Sequence, residues 1–379
     1  MANYDVLIVG GGVIGLSVAR ELHRLGQRRI AILERGQIGR EASLAAAGML
    51  APNGENEQID DFYRFCDASR RMYPEFAGEL LTETGIDIEL DQTGALFVAF
   101  TEEDSKDLAV RCARQTAAGV PVEDLSHAET LKAEPSLSMN VRSSLYFPND
   151  WQVENQRLLR ALTRYANKND ITLIEETEVD SLVLEGTAVR GVTTSNSQLS
   201  AGTTVLAAGA WTSQIAINNA RVPFSVKPIR GQIISFAPRE RLFRHVIYSH
   251  RGYLVPRADG RVLIGATEED VGFDHSATHE AEVQLINAAN EFSPMFGGRP
   301  VAETWTGFRP FAEGGHPIVG EVPGYKGLYV ATGHYRNGIL LTPITARMLA
   351  QKIVGSSDES LWEHFGAVVT PPAEKNAAA

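Results

Sequence analysis

The sequence predicts an α/β protein assembled from discontinuous segments, with a second, mainly antiparallel domain inserted between them. Three observations carry this. An apolar strand, a glycine-rich turn, an amphipathic helix and a second apolar strand follow one another over residues 6–33. Apolar runs of the parallel-sheet kind return at residues 205–208 and 327–332. Strand-like runs fill the gaps between them, at residues 95–100, 226–236, 245–255 and 262–267.

The first strand is Val6-Leu7-Ile8-Val9, apolar throughout. Ile14, Val18, Leu22 and Leu25 then fall at helical spacing, and Gly26 supplies a stop. Ile30-Ala31-Ile32-Leu33 is the second strand. Residues 36–50 are rich in Gly, Ala and Ser, with no strand pattern, and a helical region spans residues 59–84. A helix over residues 158–168 leads into an alternating run at 179–189, and a last helix is expected from Gly338 to Val354. This interleaving divides the chain into a cofactor domain (1–84, 146–218 and 303–365), a substrate domain (85–145 and 219–302) and a flexible tail (366–379).

Composition narrows the function. The 379 residues carry 35 Lys and Arg against 47 Asp and Glu, a formal net charge of −12, which argues against nucleic acid or an anionic membrane as a partner. The longest apolar stretch, residues 6–18, is broken by four glycines and is too short to span a bilayer, and the N-terminus lacks a signal-peptide pattern. Two cysteines, Cys66 and Cys112, exclude a disulfide scaffold and a cysteine-based zinc site, and reduced thiols suit the cytosol. The nine histidines show no metal-ligand spacing, and no GxSxG supports a serine hydrolase.

Gly10-Gly11-Gly12-Val13-Ile14-Gly15 fits GxGxxG between a strand and a helix, and Glu34 closes the second strand 19 residues after Gly15. Each part has a task in a Rossmann-like dinucleotide site. Gly10 permits the tight turn, Gly12 lets backbone N–H groups reach a pyrophosphate, and Gly15 lets helix pack on strand. The helix N-terminus stabilises phosphate charge, and Glu34 accepts hydrogen bonds from ribose hydroxyls. The chain holds only this one GxGxxG, whereas enzymes that use both a flavin and NAD(P)H commonly carry two. Electrons are therefore expected to pass from an organic substrate directly to a flavin. The segment Ala42-Ser43-Leu44-Ala45-Ala46-Ala47-Gly48-Met49 suits a close-packed loop beside a bulky ring.

Together with Thr306-Gly307-Phe308-Arg309-Pro310 and Gly333-His334-Tyr335-Arg336-Asn337-Gly338-Ile339-Leu340, these residues resemble the glycine oxidases, the thiamine-pathway members of the D-amino acid oxidase flavoenzymes. The resemblance runs from about Tyr4 to about Phe365. It implies non-covalent FAD, a two-domain fold and a homo-oligomer, often a tetramer. No cysteine follows Cys112, so the late thioether that related sarcosine oxidases form with flavin is impossible. The cofactor residues expected are Gly10, Gly12, Val13, Ile14, Gly15, Glu34, Arg35, Ala42, Ser43, Ala47, Gly48, Met49, Val179, His334, Tyr335, Arg336, Asn337, Gly338, Ile339 and Leu340.

A small amino acid presents a carboxylate, which asks for a guanidinium fork. Arg309 stands where the resembled enzymes place that clamp, Arg336 where a second arginine approaches the substrate, and Tyr253 where an active-site hydroxyl meets the carboxylate; Met49 joins them. Asp259-Gly260 signals a two-residue hairpin turn. That turn sets Tyr253 opposite Ala266 and Arg251 opposite Glu268, all on one face. Arg251 and Glu268 depart from the histidine and methionine of the resembled pattern. They narrow the pocket, contact the substrate amine, or form a plain cross-strand ion pair. A one-residue slip would take Glu268 off the face.

The function expected is FAD-dependent oxidation of glycine, sarcosine or small D-amino acids, with oxygen as acceptor and hydrogen peroxide as product. No side-chain base is assigned, because hydride transfer from a neutral amine needs none. The rivals are a D-amino acid or D-proline dehydrogenase that reduces a quinone, a non-catalytic FAD-binding redox protein, and an NAD-linked dehydrogenase.

Overall fold

A computed structural model describes residues 3–217, 220–238, 240–356 and 358–369. Two sheets organise it. Five strands form the parallel centre of the first, in the order Thr172–Ile174, Ile30–Leu33, Asn3–Val9, Gln198–Leu206 and Leu328–Thr332. Val6 pairs with Ile30 on one side and Thr203 on the other. Ile30–Leu33 is buried throughout, as a central parallel strand covered on both faces must be. Val179–Glu185 and Ala188–Thr194 extend this sheet antiparallel beyond Gln198–Leu206.

Helix Val13–Arg24 packs on one face with helices Asp61–Thr84, Asn155–Lys168 and Thr342–Val354. Each boundary has a local cause. Gly26 takes a positive φ of 99° just after the first helix. The Asp60 carboxylate caps Asp61–Thr84 by accepting the Tyr63 N–H, and Gly85 ends that helix in the left-handed region.

The second sheet runs Glu303–Ala312, Val226–Phe236, Val262–Gly265, Gly252–Pro256, Val246–Ser249, Ala95–Ala99, Ser143–Phe147 and Glu123–Ser126. Its two faces alternate residue by residue. Ile234, Leu254 and Ile264 pack with Leu285 and Phe292 of helix His279–Phe292. Ile233 and Tyr253 turn the other way, toward Ala47 and Met49.

Five expectations change here. Strand Glu303–Ala312 pairs along its whole length with Val226–Phe236, so residues 303–312 belong to the second sheet and not with the first. Residues 245–255 form two strands, Val246–Ser249 and Gly252–Pro256, not one. The hairpin at Asp259 slips by one residue. Arg257 N–H donates to the Arg261 carbonyl and Gly260 takes φ +90°, which closes a three-residue loop, and Tyr253 faces Gly265 rather than Ala266. The last long helix begins at Thr342, after a short 3-10 turn at Tyr335–Asn337, rather than at Gly338. Residues 366–369 complete a helix, Ser360–Val369, rather than opening a flexible tail, whose remainder, 370–379, lies outside the described residues.

Among the described residues, no helix is long and apolar enough to cross a membrane, and no group of three or more His, Cys, Asp or Glu is placed to hold a metal ion.

Candidate active site

A cavity of about 440 Å³ runs between the two sheets. One end is built by the glycine turn. A Cβ on Gly10, at φ +114°, would lie 2.3 Å from the Ala207 carbonyl oxygen, and one on Gly15 would lie 2.0 Å from the Gly10 oxygen. Only glycine allows strand, turn and helix to come this close. The buried Glu34 carboxylate accepts the Gly11 N–H at 2.8 Å and the Gly36 N–H at 3.0 Å, fixing the turn to the second strand. The Arg35 guanidinium lies 3.8 Å from the centre of the Trp211 ring, and Val179 lines the cavity nearby. A glycine cradle that any Cβ would fill, a carboxylate at the second strand and a flat Arg–Trp wall fit an adenine dinucleotide.

The middle of the cavity is the small-residue segment, and its close packing is enforced. A Cβ on Gly48, at φ +73°, would meet the Val153 oxygen at 2.1 Å, and one on Gly307 would meet the Ala45 Cβ at 2.4 Å. Asn155 donates to the Ser43 and Leu44 carbonyls at 2.8 and 2.9 Å. The buried Arg257 donates to the Ala47 and Val153 carbonyls, each at 2.9 Å, and Ser43 Oγ accepts the Val13 N–H at 3.0 Å. Opposite, His334 is buried, with Nε2 at 3.1 Å from Thr345 Oγ1, and burial pulls its pKa down to about 3. Its imidazole is therefore uncharged at neutral pH.

The far end gathers Tyr253, Arg309, Arg336, Met49 and Glu55. Arg309 stands on the strand Glu303–Ala312. Its guanidinium lies over Gly231, where a Cβ would come within 2.5 Å, and Nη1 donates to the Thr267 carbonyl at 3.0 Å. The Tyr253 ring lies over Gly265 in the same way, with 2.5 Å from a Cβ there to the hydroxyl. Two glycines thus clear one floor for the arginine and the tyrosine. Burial raises the Tyr253 pKa although Arg309 and Arg336 pull it down, so the hydroxyl stays a donor. Tyr248 is buried beside it and donates to Met49 Sδ at 3.0 Å.

Arg336 pairs with Glu55 at 2.9 Å, and the Glu55 charge is the chief cause that holds its pKa up. The Glu55 side chain is 8% exposed, and its Oε1 is buried with no hydrogen-bond partner. It ends a short helix, Pro52–Glu55, held from outside the site. The buried Asp150 accepts Asn53 N–H, Asn53 Nδ2–H and Gly54 N–H at 3.0, 2.7 and 2.6 Å, and burial raises its own pKa to about 7. Buried Arg111 donates to the carbonyls of Asn53, Gly54 and Asn56.

The structure brings most of the expected residues to this cavity: Gly10, Gly12, Val13, Ile14, Glu34, Arg35, Ala42, Ser43, Ala47, Gly48, Met49, Val179, residues 334–339, Tyr253 and Arg309 all line it. Gly15 sits behind the turn as a packing position. Three differ. Leu340 is buried in the core, and its carbonyl accepts the Ser69 hydroxyl. Arg251 points away from the cavity to Asp104 and Glu291, at 3.4 and 3.0 Å. The hairpin slip leaves Glu268 beyond the strand, so it does not pair with Arg251. It lies instead 3.7 Å from Arg336. Glu55, Arg257 and Trp211 were not anticipated. No local motif marks Glu55, whose place depends on Asp150 and Arg111, distant in the chain.

Comparison with known proteins agrees with this geometry. The family DAO, described as FAD dependent oxidoreductase, matches residues 5–352. A glycine oxidase of Geobacillus kaustophilus is 36% identical over 97% of this chain and 98% of its own length. One of Pseudomonas aeruginosa is 34% identical over 92% of this chain and 94% of its own. The crystal structure of glycine oxidase from Geobacillus kaustophilus aligns with a TM-score of 0.90 at 33% identity, covering 99% of this chain and 100% of that one. With a glycine-turn dinucleotide cradle opening onto an arginine-lined pocket, and a match over nearly its whole length, the chain belongs to the DAO family of FAD-dependent oxidoreductases.

Proposed function

We propose that this enzyme oxidises glycine and other small amines, such as sarcosine and small D-amino acids, with non-covalent FAD, and that water then splits the imine to the 2-oxo acid and ammonia (methylamine from sarcosine) while oxygen is reduced to hydrogen peroxide. The observation that carries the reading is the shared floor of Arg309 and Tyr253, beside the bare Oε1 of Glu55. The relatives named glycine oxidase support the same substrate class.

Arg309 binds the substrate carboxylate through charge-assisted N–H bonds, and the protonated Tyr253 hydroxyl donates to the same group. Glu55 Oε1 accepts an N–H from the substrate amine. Held at both ends, the small substrate has its Cα–H bond fixed in direction, and orientation supplies most of the catalysis. FAD, when bound, supplies the acceptor for the hydride leaving Cα. Met49, Tyr248 and Ala47 pack together at this end of the cavity and give it an apolar wall. Molecular oxygen is the second substrate.

An anaerobic titration of the purified holoenzyme with glycine, sarcosine, D-alanine and D-proline tests the reading. The flavin absorbance should bleach with at least glycine or sarcosine, and admitting air should restore it with one hydrogen peroxide per turnover. No bleaching by any of the four, or recovery only with an added quinone, would contradict it.

A further inference from the structure

Arg336 lies between two acids. Glu55 Oε2 is 2.9 Å from its Nε, and Glu268 Oε2 is 3.7 Å from its Nη1. The acids come from separate segments, each tied down independently. Glu55 follows the backbone held by Asp150 and Arg111. Glu268 is flanked by anchored neighbours. Thr267 Oγ1 accepts the Gln232 N–H at 2.9 Å and donates to Glu269 Oε1 at 2.7 Å. Glu269 Oε2 pairs with the buried Arg230 at 2.6 Å, and the backbones of residues 230 and 269 exchange two hydrogen bonds of 2.9 Å. The same Arg230 also holds Asp274 at 3.0 Å. Residue 268 is therefore set by fixed backbone beside Tyr335 and Arg336, two residues that line the cavity, and its side chain, 54% exposed, interacts with the Tyr335 hydroxyl and lies 3.7 Å from the Arg336 guanidinium.

The charges then divide the work. Arg309 makes no ion pair among the described residues, so its charge is free for one carboxylate; its Nη1 donates to backbone carbonyls, and its one side-chain partner is the uncharged Tyr253 hydroxyl. Arg336 already has both acid partners. A second acid on the substrate would find no uncompensated cation and would approach two carboxylates.

Resting on the function proposed above, we propose that Glu268 is a specificity residue: it neutralises Arg336 from the solvent side and restricts the site to amino acids with a single carboxylate, against those that bear a second acid on the amine.

Unreactive ether analogues separate this from catalysis. Methoxyacetate mimics N-methylglycine, with one carboxylate, and diglycolate mimics iminodiacetate, with two. Their dissociation constants are read from the flavin spectrum of the holoenzyme. Wild type should hold diglycolate at least tenfold more weakly than methoxyacetate, and E268Q should narrow that ratio by about tenfold while methoxyacetate binding stays within twofold. E268K should narrow it further, and added salt should shrink the difference between the variants. The kcat/KM ratio of iminodiacetate to sarcosine should follow the same order. A ratio in E268Q within twofold of wild type, with methoxyacetate still bound, overturns the role of Glu268 alone. A holoenzyme that binds neither ether overturns the carboxylate site, and this inference with it.

Discussion

Arg309 rests on Gly231. A Cβ at that position would lie 2.5 Å from both terminal guanidinium nitrogens, so the absence of a side chain on one strand sets the height of the functional group on the next. Gly231→Val should leave FAD content unchanged while lifting the arginine off its floor. Affinity for glycolate, a small carboxylate that resists bleaching the flavin, should fall about tenfold or more, the worth of a weakened charge-assisted bond. Unchanged glycolate binding, read from the flavin spectrum, would show that the arginine does not need this floor.

Under the proposed function, Glu55 takes the substrate amine and leaves the acid to Arg309. Its Oε2 serves Arg336 while its Oε1 is buried without a partner. In Glu55→Gln, KM for glycine should rise about tenfold, since the charged acceptor for the amine is lost. Glycolate, which has no amine, should bind as well as before or better. Equal losses for the two ligands would place Glu55 in support of the carboxylate site instead.

The glycine turn and Glu34 were legible because strand, turn and helix encode them within some thirty consecutive residues, each with its own local signal. Arg309 was legible as a motif but not as a strand residue. Gly307 and Pro310 look like chain breakers, whereas Gly307 is needed for the approach of Ala45, and Pro310 sits opposite Pro228 in the ladder. The hairpin misled because Asp259-Gly260 suits a two-residue turn, and the choice of a three-residue loop is made by the Arg257–Arg261 hydrogen bond. That single step moved Glu268 from a supposed partner of Arg251 to Arg336. Glu55 was silent because distant side chains, Asp150 and Arg111, set its position.

His334 gives the stability a pH signature. Its pKa falls from 6.5 to about 3 on folding because burial disfavours the imidazolium. The unfolded chain therefore binds the proton first, and stability is lost as pH falls below 6.5, by up to about 1.4 kcal/mol per pH unit from this group. Asp150 works in the opposite sense. Its folded pKa is raised from 3.8 to about 7, so its share of stability is present at low pH and lost as pH rises through that window. Denaturant titrations of the holoenzyme and of His334→Asn isolate the histidine. The advantage of wild type should shrink steadily from pH 6.5 toward pH 4, and a pH-independent difference would refute the buried neutral imidazole.

Glycolate affinity in Arg309→Ala, followed by the flavin spectrum of a holoenzyme with full FAD content, tests the central claim most directly. Removing the guanidinium proposed to take the substrate carboxylate should weaken glycolate about a hundredfold, roughly 3 kcal/mol, with Arg309→Lys recovering only part of the loss. An alanine variant that binds glycolate as tightly as wild type would contradict the account.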